Sequence, residues 1–348
     1  MNKAIHQKRI VICGGTGSLG RSILHRLLSG KDGTPEKIVI FSRDEAKQHD
    51  IRTHYLKTPH ATDEIIYRNS SQLVEFRIGD VRDLRSLLPA LAKADTVINA
   101  AALKQVPTCE YFPEEAIKTN ILGVDNIITA IRDYALPVES VVNISSDKAC
   151  KPVNVMGMTK ALQERLIANA NLTCRNTRLL NVRYGNVMAS RGSVIPLFQE
   201  QIRNNSAVTI THPQMTRFML SLNEAVDTIF RALADALPGE TYVPSMPSAT
   251  IEDIARAMIG NRKLEIVYKG IRPGEKLHEI AVSEEEKIRT IQRDGYFVIC
   301  PILPEIRKAE LDGELPFAEE YSSSKVTLDQ KAIAALLEKE GLMPGAGA

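Results

Sequence analysis

Arg9-Ile10-Val11-Ile12-Cys13 runs directly into Gly14-Gly15-Thr16-Gly17-Ser18-Leu19-Gly20, and an amphipathic stretch follows through Leu28. A short apolar run bounded by glycine predicts a buried strand, and the 3.6-residue apolar spacing after it predicts a helix. Gly14, Gly17 and Gly20 stand in a G-x-x-G-x-x-G spacing. The early glycines let the backbone turn tightly and approach a pyrophosphate, the last lets helix pack on strand, and the helix N-terminus faces the phosphates. A lone glycine triplet says little, but this one has the strand before it and the helix after it. It predicts a dinucleotide site built from Gly14, Thr16, Gly17, Ser18, Leu19 and Gly20.

Outward from this unit, strands and helices alternate. Strands are expected over residues 37–41, 73–78, 96–99, 141–144 and 176–182, with helices to about 57, through 91, over 114–133 and beyond 155. The alternation predicts an α/β fold, a Rossmann-like doubly wound parallel sheet with right-handed crossovers. A polar excursion interrupts it over residues 58–71. After Val187 the alternation fails, and Pro196, Pro213, Pro238, Pro244, Pro247, Pro273, Pro301 and Pro304 break the chain into short elements. This predicts a dinucleotide-binding domain over 1–186 that includes the catalytic residues. A smaller C-terminal substrate-binding lobe is expected over 187–330, interleaved with the first, followed by a C-terminal helix and frayed tail over 331–348.

Composition narrows the function classes. At 348 residues, 44% hydrophobic, 25% charged and net charge +2, the chain is an ordinary globular protein without the basic excess of a nucleic-acid binder. Its five cysteines are far apart, which reads as reduced thiols in a cytoplasm, and its seven histidines show no metal-ligand spacing. No metal, no nucleic acid and no membrane are expected.

Two strand ends carry the remaining chemistry. The second strand finishes in Ser42-Arg43-Asp44, where an NAD site usually places an acid first; a hydroxyl and a guanidinium suit a 2′-phosphate instead, which argues for NADP, with NAD admitted. The bland reading makes Ser42 or Asp44 a helix cap and Arg43 a solvated side chain. Asp80, with Val81, closes the third strand at the expected adenine end, and Ala100, Ala101 and Ala102 let the fourth strand's end lie against a ligand. At the end of the fifth strand come Ser145-Ser146-Asp147-Lys148-Ala149 and then Met156-Gly157-Met158-Thr159-Lys160. In an open α/β sheet, ligands bind outside the carboxyl ends of the strands. That is where this hydroxyl, acid and amine stand, although a plain capping loop would use the same residues.

With these segments in hand, the chain resembles the extended short-chain dehydrogenase/reductase superfamily. Within it, the chain is similar to the inverting UDP-N-acetylglucosamine 4,6-dehydratases of bacterial capsule and surface-glycan synthesis. The resemblance rests on Gly14 to Gly20, Ser42-Arg43-Asp44, residues 100–107, 145–149 and 183–194, Arg272-Pro273-Gly274-Glu275-Lys276, and Glu320-Tyr321-Ser322-Ser323. It implies a cytoplasmic lyase, a homo-oligomer with hexamers among the sizes allowed. Such an enzyme oxidises the sugar at C4, eliminates water across C5 and C6, returns hydride to C6, and gives a UDP-4-keto-6-deoxy-hexosamine with inversion at C5. By the same resemblance Ser146 donates a hydrogen bond to the C4 oxygen, Asp147 is the acid for the C6 hydroxyl and needs a raised pKa, and Lys148 is the base for C5 and needs a depressed one. Lys160 and Asn120 belong to the cofactor site, while Lys104, Asn186, Arg191, Arg217, Arg272 and Glu275 belong to the UDP-N-acetylhexosamine.

One position departs from the superfamily pattern. Where a tyrosine would precede Lys160 by four, the chain has Met156, whose thioether exchanges no proton. Two other readings therefore stay open. A UDP-hexosamine 4-epimerase shares fold and hydride transfer but has no use for the Asp147–Lys148 pair; a catalytically silent NADP-sensing regulatory or scaffold protein is favoured by Met156 alone.

Overall fold

A computed structural model of the chain describes residues 2, 4–56, 73–188, 193–308 and 316–344. The whole 58–71 excursion, Arg191 and the last residues of the tail lie outside them. Six strands follow the expected alternation: β1 (Arg9–Cys13), β2 (Lys37–Ser42), β3 (Val74–Ile78), β4 (Thr96–Asn99), β5 (Ser140–Ile144) and β6 (Arg178–Val182). The rest of the chain adds β7 (Val208–Ile210), β8 (Thr216–Phe218), β9 (Thr241–Pro244), β10 (Ser248–Thr250), β11 (Ile266–Tyr268), β12 (Ile280–Val282), β13 (Thr290–Arg293), β14 (Tyr296–Ile299) and β15 (Tyr321–Ser322).

The main sheet has nine strands in the order β13-β14-β9-β6-β5-β4-β1-β2-β3. From β3 to β9 every pairing is parallel, and the β13–β14 hairpin adds an antiparallel edge. Alternate residues of the parallel strands enter two separate apolar layers, which is why these strands read as continuous apolar runs. Ile10, Ile12, Ile38, Ile40, Ile98 and Val142 pack with Ile23, Leu24 and Leu27 of the helix Ser18–Leu28 and with Ile229 and Leu233 of Leu222–Asp235. Val11, Val39, Val97, Val141 and Leu179 pack against the helices Leu84–Leu91, Gly123–Asp133 and Val155–Ala170.

Residues after 187 do two jobs. β9, β13 and β14 return to the main sheet, so the interleaving of the two regions runs through the sheet itself. The remainder forms a lobe of two-stranded ladders, β8 with β10, β7 with β11 and β12 with β15. Its own apolar core gathers Phe198, Ile254 and Met258 with Ile333 and Leu337 of the helix Gln330–Lys339. The C-terminal helix set apart at 331–348 is therefore part of the lobe's core, because its apolar face needs that partner to be buried.

A polar rung crosses the sheet near the carboxyl ends of β4, β5 and β6. Asn99 donates to Asn143 Oδ1 at 3.1 Å, Asn143 donates to Asn181 Oδ1 at 2.9 Å, and Asn181 donates to the Glu164 carbonyl at 3.2 Å. All three side chains are buried. Because the side chains interlock only in one register, the rung fixes how the strand ends that carry the loops line up.

Candidate functional site

The glycine loop fits a dinucleotide on direct steric grounds. Gly14 has φ +76°, and a Cβ there would lie 2.7 Å from the Ala101 nitrogen. The small residues after β4 thus pack on the glycine turn itself as well as lining the crevice. A Cβ on Gly20 would lie 2.5 Å from the Gly15 Cα, so the helix can approach the turn only with glycine there. Gly17 caps the helix Ser18–Leu28 with no side chain, which leaves the first N–H groups of the helix open to an anion. Ser42 and Thr16 share a hydrogen bond of 2.7 Å, tying the tip of β2 to the loop. Arg43, half-exposed, lies 3.6 Å from Asp80, which also accepts from Arg82 Nε at 2.8 Å. The tips of β2 and β3 therefore meet, as their adjacency in the sheet requires. Val81 is buried against Gly123, with its carbonyl taken by Asn126.

Asn120 and Lys160 stand behind the crevice. Asn120 sits in a π-helical segment, Ile117–Leu122, and is fully buried. It accepts from the Leu103 N–H at 2.8 Å and donates to the Leu103 carbonyl and to Thr159. It braces the loop after β4 against the helix Val155–Ala170, and both ends of its amide are engaged in doing so. Lys160 donates to the Ile144 carbonyl and to Gln163, each at 2.8 Å; burial pulls its amine down to about 8. Met156 packs with Cys109 and Ala116 in a small apolar cluster.

The reactive constellation is at the end of β5. The Asp147 N–H is held by the Tyr184 carbonyl at 3.0 Å, so the loop keeps pairing with the chain beyond β6. A short turn, Asp147–Ala149, follows, and Gly157 at the head of the next helix is pressed under it: a Cβ there would lie 2.3 Å from the Lys148 carbonyl oxygen. Ser146 donates to Asp147 Oδ1 at 2.9 Å. Lys148 Nζ lies 3.1 Å from the same oxygen, 2.9 Å from Glu279 Oε1 and 3.4 Å from Asn186 Oδ1. Arg217 Nε is 3.9 Å from Glu279. Asp147 has no exposed surface and Glu279 only 2%, and each keeps one carboxylate oxygen without a hydrogen-bond partner among the described residues, Oδ2 and Oε2 respectively.

The charges in this cluster are pushed apart. Burial raises the Asp147 carboxyl, Lys148 opposes, and Glu279 adds to the rise, which suits the acid expected there. Burial would raise Glu279 as well, but Lys148 and Arg217 overcome it and hold that carboxyl below its usual range. For Lys148 the expectation is corrected. A C5 base needs an amine below its ordinary pKa; burial works that way, but Asp147 and Glu279 together outweigh it and hold the ammonium above.

Glu279 is the residue that sequence reasoning missed. Its signal was a lone acid in His278-Glu279-Ile280-Ala281-Val282, between the Arg272–Lys276 segment and an apolar strand. Asn186 and Arg217, expected at phosphate or uridine, lie against the Lys148–Glu279 pair, because β8 and the chain beyond β6 both pass there. Arg272 and Glu275 form a turn of their own, Glu275 accepting from the Arg272 N–H at 3.2 Å. That turn docks beside the reactive loop through its neighbours, with Asn154 donating to Gly274 and Lys276 to the Cys150 carbonyl, each at 2.7 Å. Lys104 is exposed after β4. Among the described residues no cluster of metal-ligating side chains exists, and no helix is long and apolar enough to cross a membrane.

Comparison with known proteins places this geometry among sugar-nucleotide enzymes. Residues 10–301 match the family described as polysaccharide biosynthesis protein. A Rickettsia bellii protein named UDP-glucose 4-epimerase is 43% identical over 327 residues, 91% of each chain. The X-ray structure of Pen from Bacillus thuringiensis superposes with a TM-score of 0.85 at 33% identity, covering 97% of this chain and 99% of that one. A dTDP-glucose 4,6-dehydratase from Streptomyces venezuelae, solved with NAD and TYD bound, has a TM-score of 0.65 at 17% identity over 77% and 86% of the two chains, a likeness of fold.

Proposed function

The chain belongs to the polysaccharide biosynthesis protein family and is an enzyme of the extended short-chain dehydrogenase/reductase class, and from that premise we propose that it is an NADP-dependent UDP-N-acetylglucosamine 4,6-dehydratase. The observation that carries this reading is the buried Asp147–Lys148 pair beside the Ser146 hydroxyl. An epimerisation moves hydride off and onto C4 and asks for proton exchange only at the C4 oxygen. A second, buried acid–base pair has work to do only where another bond to hydrogen and a bond to oxygen must break, at C5 and C6. A bound nicotinamide dinucleotide supplies acceptance and return of the hydride. Ser146, half-buried at the edge of the cluster, donates to the C4 oxygen, and Lys160 adds positive charge beneath it. Once C4 is a ketone, the C5 proton is acidified by delocalisation onto the ketone oxygen. Lys148, whose side chain is the more exposed of the pair at 17%, takes it. Asp147 delivers its proton to the departing C6 hydroxyl.

For the cofactor, Arg43 at the tip of β2 supports NADP, since a guanidinium contact to a 2′-phosphate is worth about 1.5–3 kcal/mol. Arg43→Ala should weaken NADP far more than NAD in a binding titration, and equal losses would remove the preference. A cytoplasmic, homo-oligomeric enzyme of surface-glycan synthesis completes the reading. The relative's name favours a second one, a UDP-sugar 4-epimerase. Incubation with UDP-N-acetylglucosamine and a mass measurement separates them. Loss of water is the expected result; an isomer of equal mass supports the epimerase, and unchanged substrate with bound cofactor overturns both.

A further inference from the structure

Resting on that reading, we propose that Glu279 is a third member of the acid–base site, the carboxylate that takes a proton from Lys148 and so frees its amine to act at C5. The difficulty it resolves is stoichiometric. An ammonium cannot accept a proton, and Lys148 is wedged between two carboxylates that favour its charged form. Glu279 Oε1 lies 2.9 Å from Lys148 Nζ, a direct hydrogen-bond path. The other oxygen, Oε2, is buried and has no hydrogen-bond partner among the described residues, so the carboxylate has spare acceptor capacity.

The charged neighbours keep the proton on Lys148 at rest, so the transfer is a transient step within the pair. Facing Glu279 are Asp147 and Lys148 from the reactive turn, Arg217 from β8 and Lys276 from the 272–276 turn, with His278 beside it in sequence. Facing Lys148 are Asp147, Glu279 and Arg217, with Asn186 as a neutral acceptor. The proton that leaves Lys148 removes the cation that does most to keep Glu279 ionised. The transfer neutralises both charges together at the cost of their attraction, and the two groups titrate as one pair. Asp147 is the poorer acceptor at that moment, since its proton is the one needed at C6.

The steps balance. An N–H bond of Lys148 breaks and an O–H bond forms on Glu279. The C5–H bond then breaks, its proton goes to the Lys148 amine, and its electron pair forms the C5–C6 double bond as the C6–O bond breaks. The oxygen leaves as water with the proton of Asp147. No proton enters or leaves the cluster to prepare it, so the preparation carries no pH dependence.

The test is a pair of variants with two readouts. Glu279→Gln keeps size, and the backbone of residue 279 stays held by Ser323, whose Oγ accepts from its N–H at 2.9 Å and whose N–H donates to its carbonyl at 2.8 Å. In this variant Lys148 must lose its proton to water. Dehydration should fall roughly a hundredfold near neutral pH and climb about tenfold per pH unit, a rising limb that the wild-type profile lacks. Glu279→Asp should remove that rising limb again at a lower rate. The second readout is the NMR titration of the Lys148 side chain, which should move to lower pH in Glu279→Gln. A Glu279→Gln profile that is flat and merely scaled down, or a Lys148 titration unchanged by the substitution, overturns the proposal. Should the wild type release no water from the UDP-sugar, the dehydratase reading falls on its own, and the Lys148 titration still tests whether Glu279 is coupled to it.

Discussion

Two buried charge clusters flank the end of β6, and they are built in opposite ways. Arg183 lies between Glu164, at 2.9 and 2.6 Å, and Glu286, at 2.7 and 2.9 Å, and also donates to the Ala281 carbonyl at 2.8 Å. Its donors are fully engaged, and it clamps the helix Val155–Ala170 to the segment around β12. A few residues along, Asp147, Lys148, Glu279 and Arg217 hold the same kinds of charge with longer contacts and two orphaned carboxylate oxygens. A fully satisfied network is rigid and cannot exchange protons cheaply, whereas a network with spare acceptors stores the capacity for a proton or a ligand group. The first cluster reads as scaffold and the second as machinery, and the scaffold holds the machinery's loop in place through its shared strand.

The largest effect should come from breaking the second cluster at its acid. Asp147→Asn keeps the shape and the Ser146 hydrogen bond but removes the transferable proton. Dehydration should fall by roughly 10²- to 10⁴-fold while oxidation at C4 continues, so that reduced cofactor accumulates on the enzyme. Single-turnover mixing with excess enzyme, following cofactor absorbance and product mass together, checks this. Wild-type dehydration by the variant would remove Asp147 from the acid's place.

Breaking the first cluster should cost stability, with the chemistry left intact. Burial works to raise the Glu286 carboxyl, and Arg183 overrides it and brings it down to about 2 from 4.5. Because the folded value is the lower one, the contribution is complete above about pH 4.5 and is lost as pH falls toward 2. Its size is roughly 3 kcal/mol. Glu286→Gln should therefore unfold at lower urea near neutral pH, by about that amount, and should lose less stability than the wild type on acidification. Equal acid sensitivity of both proteins would show that Arg183 does not hold Glu286 ionised in the folded state.

The contrast also explains how much could be read from the residues. The parallel sheet was legible because strands such as β1 and β4, buried on both faces, leave unbroken apolar runs between glycine and polar loops. The hairpin β13–β14 carried its own signal, Asp294-Gly295, with φ of 48° and 84° at its turn. The strands around that turn are half-exposed and lack a clean alternation, so the lobe reading absorbed them. In the site, neighbours in sequence were legible and partners across the fold were not. Ser146, Asp147 and Lys148 announce one another, but Glu279 reaches Lys148 only because β12 packs on the reactive turn, and no spacing rule encodes that contact. Against burial, that carboxylate adds to Asp147 in holding the Lys148 ammonium above its ordinary value, opposite to the direction expected.

The smallest effect should come from Met156, which sharpens the comparison by lying on its boundary. By position, four before Lys160 on the helix that backs the crevice, it stands where the superfamily's proton-exchanging tyrosine would be. By environment it belongs with the scaffold: it is 3% exposed and packed against Cys109, Ala116 and Leu103. A thioether offers no proton, so Met156 can serve only by filling space, and the C4 proton must leave through Ser146, Lys148 or water. Met156→Leu conserves volume and polarity, and such swaps usually cost under about 1.5 kcal/mol. Turnover should then stay within roughly tenfold of the wild type, with thermal stability and cofactor affinity close to unchanged, as steady-state rates and a melting curve on the same preparation would record. Loss of turnover with the fold and cofactor binding intact would move Met156 across the boundary. The thioether would then be needed at the reacting carbon, and packing alone would no longer account for the residue.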